Sequence, residues 1–252
     1  MAGTFQFGIA LRTQYPADSD ISEKFQDLLE LVRLADSLGY DSLTKTSHYS
    51  TAPYQAFQQF PLLARLSAEA PNIRLNAGII LLSLHKPLDL AEQLASIDIM
   101  CGGKLIVGAA LGYREVEFKA FGTTPRERAP RFEENLIALK RLWAEDSVDM
   151  VGTHFELDGA TCLPKPLQKP HPPIWIGANA DPAIERAARV GDCWYIPPHN
   201  EVTTIIRQLE IYKRALDAAN KPFPEELPMR REVFVAPSRE EALRLCGPYL
   251  AD

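Results

Sequence analysis

Short apolar runs alternate with stretches of helical periodicity along almost the whole chain, and few folds accept that pattern. Strands are predicted at residues 5–11, 41–46, 73–82, 104–109, 174–177, 193–196 and 231–236. Between the first two, Ile21, Phe25, Leu28, Leu29, Val32 and Ala35 recur at helical spacing. Asp20 with Glu23 reads as the cap of that helix and Gly39 as its stop. Further helices are predicted over 56–70, from Pro87 to about Met100, along Phe132, Leu136, Leu139 and Trp143, after Asp181-Pro182 as N-cap and first-turn proline, and over 202–219. Ser238 with Glu241 caps a last helix reaching about Leu250.

A serial β/α chain folds either as an open doubly wound sheet or as a (β/α)8 TIM-type barrel. The open sheet would place G-x-G-x-x-G after its first strand, and Gly8-Ile9-Ala10-Leu11-Arg12 does not supply it, so the barrel is favoured. At 252 residues the chain reads as one barrel domain over 1–252, with an insertion at 148–172 where glycine and proline break the rhythm. Seven strands leave no residues for an eighth, so either the chain is a shortened form of a longer one, the favoured expectation, or another element or subunit closes the barrel. A gap is then expected between the first and seventh strands, with Phe5, Phe7 and Phe234 poorly covered, and self-association with it.

Charge narrows the function classes. With 27 basic and 33 acidic residues the net charge is −6, which argues against bulk electrostatic binding of nucleic acid. No apolar run reaches the ~20 residues of a membrane span and no secretory leader is visible, so a cytoplasmic protein is expected. Cys101, Cys162, Cys193 and Cys246 lie far apart, and the five histidines form neither H-x-H nor H-E-x-x-H, so no metal site is expected.

In a barrel, chemistry gathers where strands run into βα loops. That rule selects His48, Gly78-Ile79, Leu111 to Arg114, Gly177 to Asp181, and Tyr195 to His199. His48 can act as a general acid or base, or can be a loop histidine with a structural hydrogen bond. Gly177-Ala178-Asn179-Ala180-Asp181 joins a strand to a helix N-terminus, which suits a phosphate but equally suits a plain capped turn. Lys45 can be read as a Schiff-base lysine or as a solvated or salt-bridged one. Trp143, Trp175 and Trp194 are read as core residues.

Several stretches together resemble the bacterial luciferase-like superfamily of flavin- and deazaflavin-dependent oxidoreductases. They are Gly39-Tyr40-Asp41 with Ser47-His48, the run from Ile73 to Ile79 with His85-Lys86-Pro87, and the block from Asp98 to Lys104. Gly108, the run Gly112 to Phe118, Phe121-Gly122 and Arg131 to Glu134 continue the match. Pro164-Lys165-Pro166, Pro172 to Gly177 and Gly191 to Trp194 complete it. The resemblance implies a (β/α)8 barrel holding reduced FMN, or F420, at the mouth of its strands. It makes His48 the active-site histidine and Gly78-Ile79 a non-prolyl cis peptide behind the ring system. It sets the cofactor phosphate on the turn Gly177, Ala178, Asn179 and Ala180, with Ala77, Leu111 and Arg114 also beside the cofactor.

Three departures stand out. Ser47 replaces the usual acidic neighbour of the histidine, and Cys101 and Lys104 replace a serine and an arginine. Leu111 takes the place of an arginine that luciferases set near the phosphate. The leading functional expectation is a monooxygenase that uses reduced FMN from a separate flavin reductase to oxygenate a small organic substrate. An F420-dependent hydride transfer, mildly favoured by Leu111, is the alternative, and a non-catalytic flavin-binding protein is a third reading. A homodimer is expected, with no nucleic-acid or membrane partner.

Overall fold

The computed structural model describes residues 5–249, and six of the seven predicted strands form one parallel sheet. These are β1 (Gly8–Leu11), β2 (Ser42–Lys45), β3 (Arg74–Leu81), β4 (Leu105–Ala110), β5 (Ile174–Gly177) and β6 (Cys193–Tyr195). Their spatial order follows chain order without a reversal, so the sheet is singly wound. A doubly wound sheet would reverse direction at a switch point, so that alternative is excluded. The sheet curls into a half-barrel: the Tyr195 hydroxyl on β6 meets Thr44 on β2 across the interior.

The seventh strand is the main correction. Residues 231–236 are not paired; only Met229 forms an isolated parallel bridge, to Ile196. Val233, Phe234 and Val235 are exposed, as are Phe5 and Phe7 near the opposite edge. The alternation in Glu232-Val233-Phe234-Val235 suits a strand, but propensity yields no strand where neither face is covered and no neighbour pairs. Arg12 and Glu232, 3.6 Å apart, span the seam between the two edges.

Helices α1 (Ile21–Ser37), α2 (Gln59–Leu66), α3 (Pro87–Met100), α4 (Glu115–Ala120), α5 (Arg128–Ala144), α6 (Asp181–Val190), α7 (Val202–Ala218) and α8 (Arg239–Cys246) follow or link the strands. Asp20 caps α1 by accepting from the amides of Ser22 and Glu23, and Gly39 turns the chain at φ +77°. Ser238 caps α8 through the Glu241 amide. Asp181, expected as a cap, is instead the first residue of α6 and pairs with Arg207. α2 begins three residues later than predicted because Tyr54–Ala56 pairs antiparallel with Gln14–Pro16. The segment read as an insertion carries an antiparallel hairpin, Val148–Val151 against Glu156–Ala160.

Period-two alternation divides the sheet's two faces. Leu43, Leu75, Val107, Ile176 and Trp194 face the helices and share a core with Val32, Leu94, Leu139 and Ile184. Each such fully buried side chain contributes roughly 1.5–3 kcal/mol. Ile106, Trp175 and Cys193 form a separate cluster in the concave interior, with Tyr195 packed on it. All three tryptophans are buried, as expected.

Lys45 departs from both of its expected forms. It ends β2 on the helix-facing side, in register with buried Leu11 and Ala77, and is only 3% exposed. Among the described residues it has no carboxylate partner; Nζ donates to the Thr46 carbonyl at 2.5 Å. Burial lowers its pKa to about 8. Between that value and the ordinary 10.5, the unfolded chain holds a proton that the folded chain has released. Stability should therefore rise with pH across this window, by at most about 1.4 kcal/mol per unit, because the penalty for a buried charge is relieved. Urea unfolding of wild type and Lys45→Met from pH 7.5 to 10.5 should show the slope difference; parallel curves would contradict it.

Candidate active site

The C-terminal strand ends surround a cavity of about 320 Å³, the lower part of the range for small-molecule sites. Thr46, Ser47 and His48 line it from the end of β2, and Gly78, Ile79 and Leu81 from β3. Gly112 and Tyr113 close it from the loop after β4, and Gly177, Ala178 and Asn179 from the loop after β5. The opposite wall is the segment Tyr195 to His199 with Arg230. The strand-end rule thus selected most of this lining. Ala77, Leu111, Arg114 and Ala180 fall outside it: Ala77 is wholly buried on the helix side, and the Leu111 carbonyl accepts from Ser83 Oγ at 2.6 Å.

His48 is held by a carboxylate that sequence reasoning did not single out. Its Nδ1 lies 3.0 Å from Oε1 of Glu117 on α4, a side chain 1% exposed. The same oxygen accepts from the Tyr49 amide at 2.9 Å and from Arg114 Nη1 at 3.2 Å. Three donors converging on one carboxylate oxygen fix the proton on Nδ1, leaving Nε2 as the basic nitrogen. Arg114 donates also to the carbonyls of Tyr49 at 2.7 Å and Ser50 at 3.0 Å. Tyr113 stacks edge-on against His48, with ring centroids 5.9 Å apart. The acid that Ser47 does not provide thus comes from a neighbouring loop and helix. An Arg114–Glu117 pair at i,i+3 beside a cavity-lining tyrosine was the available signal.

The floor is shaped for close approach. The Gly78–Ile79 peptide is cis, as the resemblance implies. A Cβ on Gly78 would stand 2.6 Å from Asn76 Nδ2, and one on Gly108 2.8 Å from the Gly78 Cα, so the backbone here admits no side chain. Below it, Asn76 donates to Thr44 Oγ1 at 3.1 Å, while its own Oδ1 has no partner.

Buried contacts hold the turn after β5. Trp194 Nε1 donates to the Ala178 carbonyl at 2.9 Å, and Gln208 Nε2 to the Asn179 carbonyl at 2.6 Å. The first turn of α6 follows directly, and Asp181 at its start is neutralised by Arg207. Beyond the cavity, burial keeps His85 neutral, with its pKa lowered to about 4, beside Tyr49 and Phe121.

A family model described as luciferase-like monooxygenase matches residues 5–252. The chain belongs to that family. This luciferase-like chain is 34% identical over 197 residues to the FMNH(2)-dependent dimethylsulfone monooxygenase of Pseudomonas putida, covering 76% of itself and 53% of that protein. It is 25% identical over 241 residues to the oxygenase component of the flavin-dependent trigonelline monooxygenase of Acinetobacter baylyi, covering 94% of itself and 67% of that protein. It thus spans between about half and two thirds of these two relatives' lengths. Among solved structures, monooxygenase RslO1 from Streptomyces bottropensis superposes with a TM-score of 0.89 at 31% identity, over 98% of this chain and 77% of that one. An F420-dependent glucose-6-phosphate dehydrogenase of Microbacterium testaceum is also related, at 27% identity over 216 residues, covering 82% of this chain and 61% of that one. The luciferase-like chain accordingly has an α/β fold and flavin- and F420-dependent relatives. Among its described residues no helix is long and apolar enough to cross a membrane.

Proposed function

We propose that this protein is a monooxygenase that takes reduced FMN from a separate flavin reductase and oxygenates a small organic substrate. The observation that carries the reading is the pairing of His48 and buried Glu117 at the rim of a cavity whose floor is bare backbone at Gly78. The glycine floor suits a flat ring system, and the mostly apolar walls suit chemistry that must exclude water. Bound reduced flavin would supply the electrons that activate dioxygen. The chain's own residues orient and protect: Gly78 and Ile79 back the ring, and the amides of Ala178, Asn179 and Ala180 hold the phosphate at the α6 terminus. His48, with its proton fixed on Nδ1, accepts or returns a proton at Nε2. Arg114 serves as the clamp on Glu117 and the Tyr49–Ser50 backbone, and Leu111 packs behind the cavity.

The half-barrel is read as the larger part of a (β/α)8 barrel in one domain, with 148–172 inserted between α5 and β5. The unreversed strand order and the exposed apolar residues at both edges support this. A cytoplasmic homodimer fits the same reading. Leu111, standing where luciferases carry an arginine, favours F420-dependent hydride transfer as the second reading.

Incorporation of labelled dioxygen into product, supported by chemically reduced FMN without nicotinamide, tests the reaction class. Unlabelled product formed with reduced F420 would select the second reading. The phosphate placement has its own test. Asn179→Asp sets like charge beside the phosphate and should weaken FMN binding about tenfold, or about 1.4 kcal/mol, while sparing riboflavin. Equal FMN affinity would move the phosphate elsewhere.

A further inference from the structure

Tyr113, in the loop after β4, lines the cavity and yet is 71% exposed, whereas every other apolar side chain of the lining is buried or half-buried. Its exposure is not that of a loose loop, because the backbone around it is pinned at successive residues. The Leu111 carbonyl accepts from Ser83 Oγ at 2.6 Å, and the Gly112 carbonyl from Arg128 Nη1 at 3.3 Å. Gly112 turns the chain at φ +80°, where a Cβ would stand 3.3 Å from Phe118 Cζ and 3.8 Å from Leu81 Cδ2. Arg114, next along, is tied to Tyr49, Ser50 and Glu117. The Tyr113 ring therefore stands at a fixed point on the rim, 79° to the His48 ring with centroids 5.9 Å apart, and most of its surface is uncovered. Leu81 and Ala110 extend the apolar lining beside it. A preorganised aromatic ring binds its guest without a further ordering cost, and a second flat ring gains more there than the area it buries.

We propose that Tyr113 determines the specificity of this cavity, and that its substrate is a small aromatic or heteroaromatic molecule stacked on Tyr113 within reach of His48. The proposal rests on the flavin-enzyme reading above, in which the cofactor ring lies over Gly78 and Ile79. It names the substrate class for that site: a second flat ring, held from the Tyr113 side.

Benzyl alcohol and its saturated counterpart cyclohexylmethanol separate stacking from burial, because the saturated ring is the more apolar and burial alone would favour it. Their dissociation constants are measured by ligand-observed NMR on wild type, Tyr113→Phe and Tyr113→Leu, with and without oxidised FMN. Wild type should bind benzyl alcohol about three- to tenfold more tightly than cyclohexylmethanol. Tyr113→Phe should keep that preference and Tyr113→Leu should lose it. No preference in wild type, a preference lost in Tyr113→Phe, or one kept in Tyr113→Leu would each overturn the proposal. The FMN arm separates substrate from cofactor. Benzyl alcohol that binds equally well beside FMN, with FMN affinity unchanged in Tyr113→Leu, supports the proposal. Displacement of benzyl alcohol by FMN, or a loss of FMN affinity of about tenfold in Tyr113→Leu, would assign Tyr113 to the cofactor ring and overturn it. If wild type prefers benzyl alcohol but binds neither FMN nor F420, the flavin reading fails and the aromatic site stands.

Discussion

Replacing His48 with asparagine is expected to lower single-turnover product yield with reduced FMN by about 10²-fold or more, with cofactor affinity changed far less. The reason lies in the geometry around Nδ1. Glu117 fixes that proton, so the whole basicity of the ring is expressed at Nε2, and asparagine offers an amide of similar reach with no basic nitrogen. Glu117→Gln should lower turnover comparably by a different route, because a carboxamide can present its NH₂ to Nδ1 and reverse the tautomer. That variant should also unfold more easily, since Arg114 and the Tyr49 amide lose a charged acceptor. Two variants that share a kinetic defect but differ in stability would mark the dyad as chemical. Unchanged turnover in His48→Asn would remove the residue from the mechanism.

The largest stability effect is expected at Trp194. Its side chain is fully buried, packs on Tyr212 with centroids 5.8 Å apart, and donates to the Ala178 carbonyl. Trp194→Ala combines a large cavity with a lost hydrogen bond and should cost about 3–5 kcal/mol. The melting temperature should fall on the order of 10 °C in a domain of this size. Because Ala178 belongs to the turn assigned to the phosphate, FMN binding should weaken in the same variant. Trp194→Phe should restore much of the packing but not the contact to Ala178. A variant as stable as wild type would show that β6 does not anchor that turn.

Much of the fold was legible because the inner strands β3, β4 and β5 are largely buried on both faces, and such strands carry near-continuous apolar runs such as Ile174-Trp175-Ile176. Where only local propensity spoke, the reading went wrong. Residues 231–236 alternate like a strand but find no partner, and the two three-residue strands Gln14–Pro16 and Tyr54–Ala56 are too short to leave a period. α4, at six residues, was missed for the same reason. With it went Glu117, whose role depends on a contact 69 residues distant in sequence. Spacing rules find neighbours on one element, whereas a side chain delivered from another loop is visible only once the sheet has curled. Lys45 shows the converse failure: a charge on a strand reads as solvated, yet alternation turns it to the helix face and buries it.

The central claim is that the cavity at the strand ends holds reduced FMN over Gly78 and Ile79. Anaerobic titration of the protein with reduced FMN and with reduced F420, followed by the quenching of tryptophan emission, tests it most directly. Saturable micromolar binding of reduced FMN, with F420 binding at least about tenfold weaker, is the expected result. Tight binding of F420 with none of FMN, or binding of neither, would contradict it.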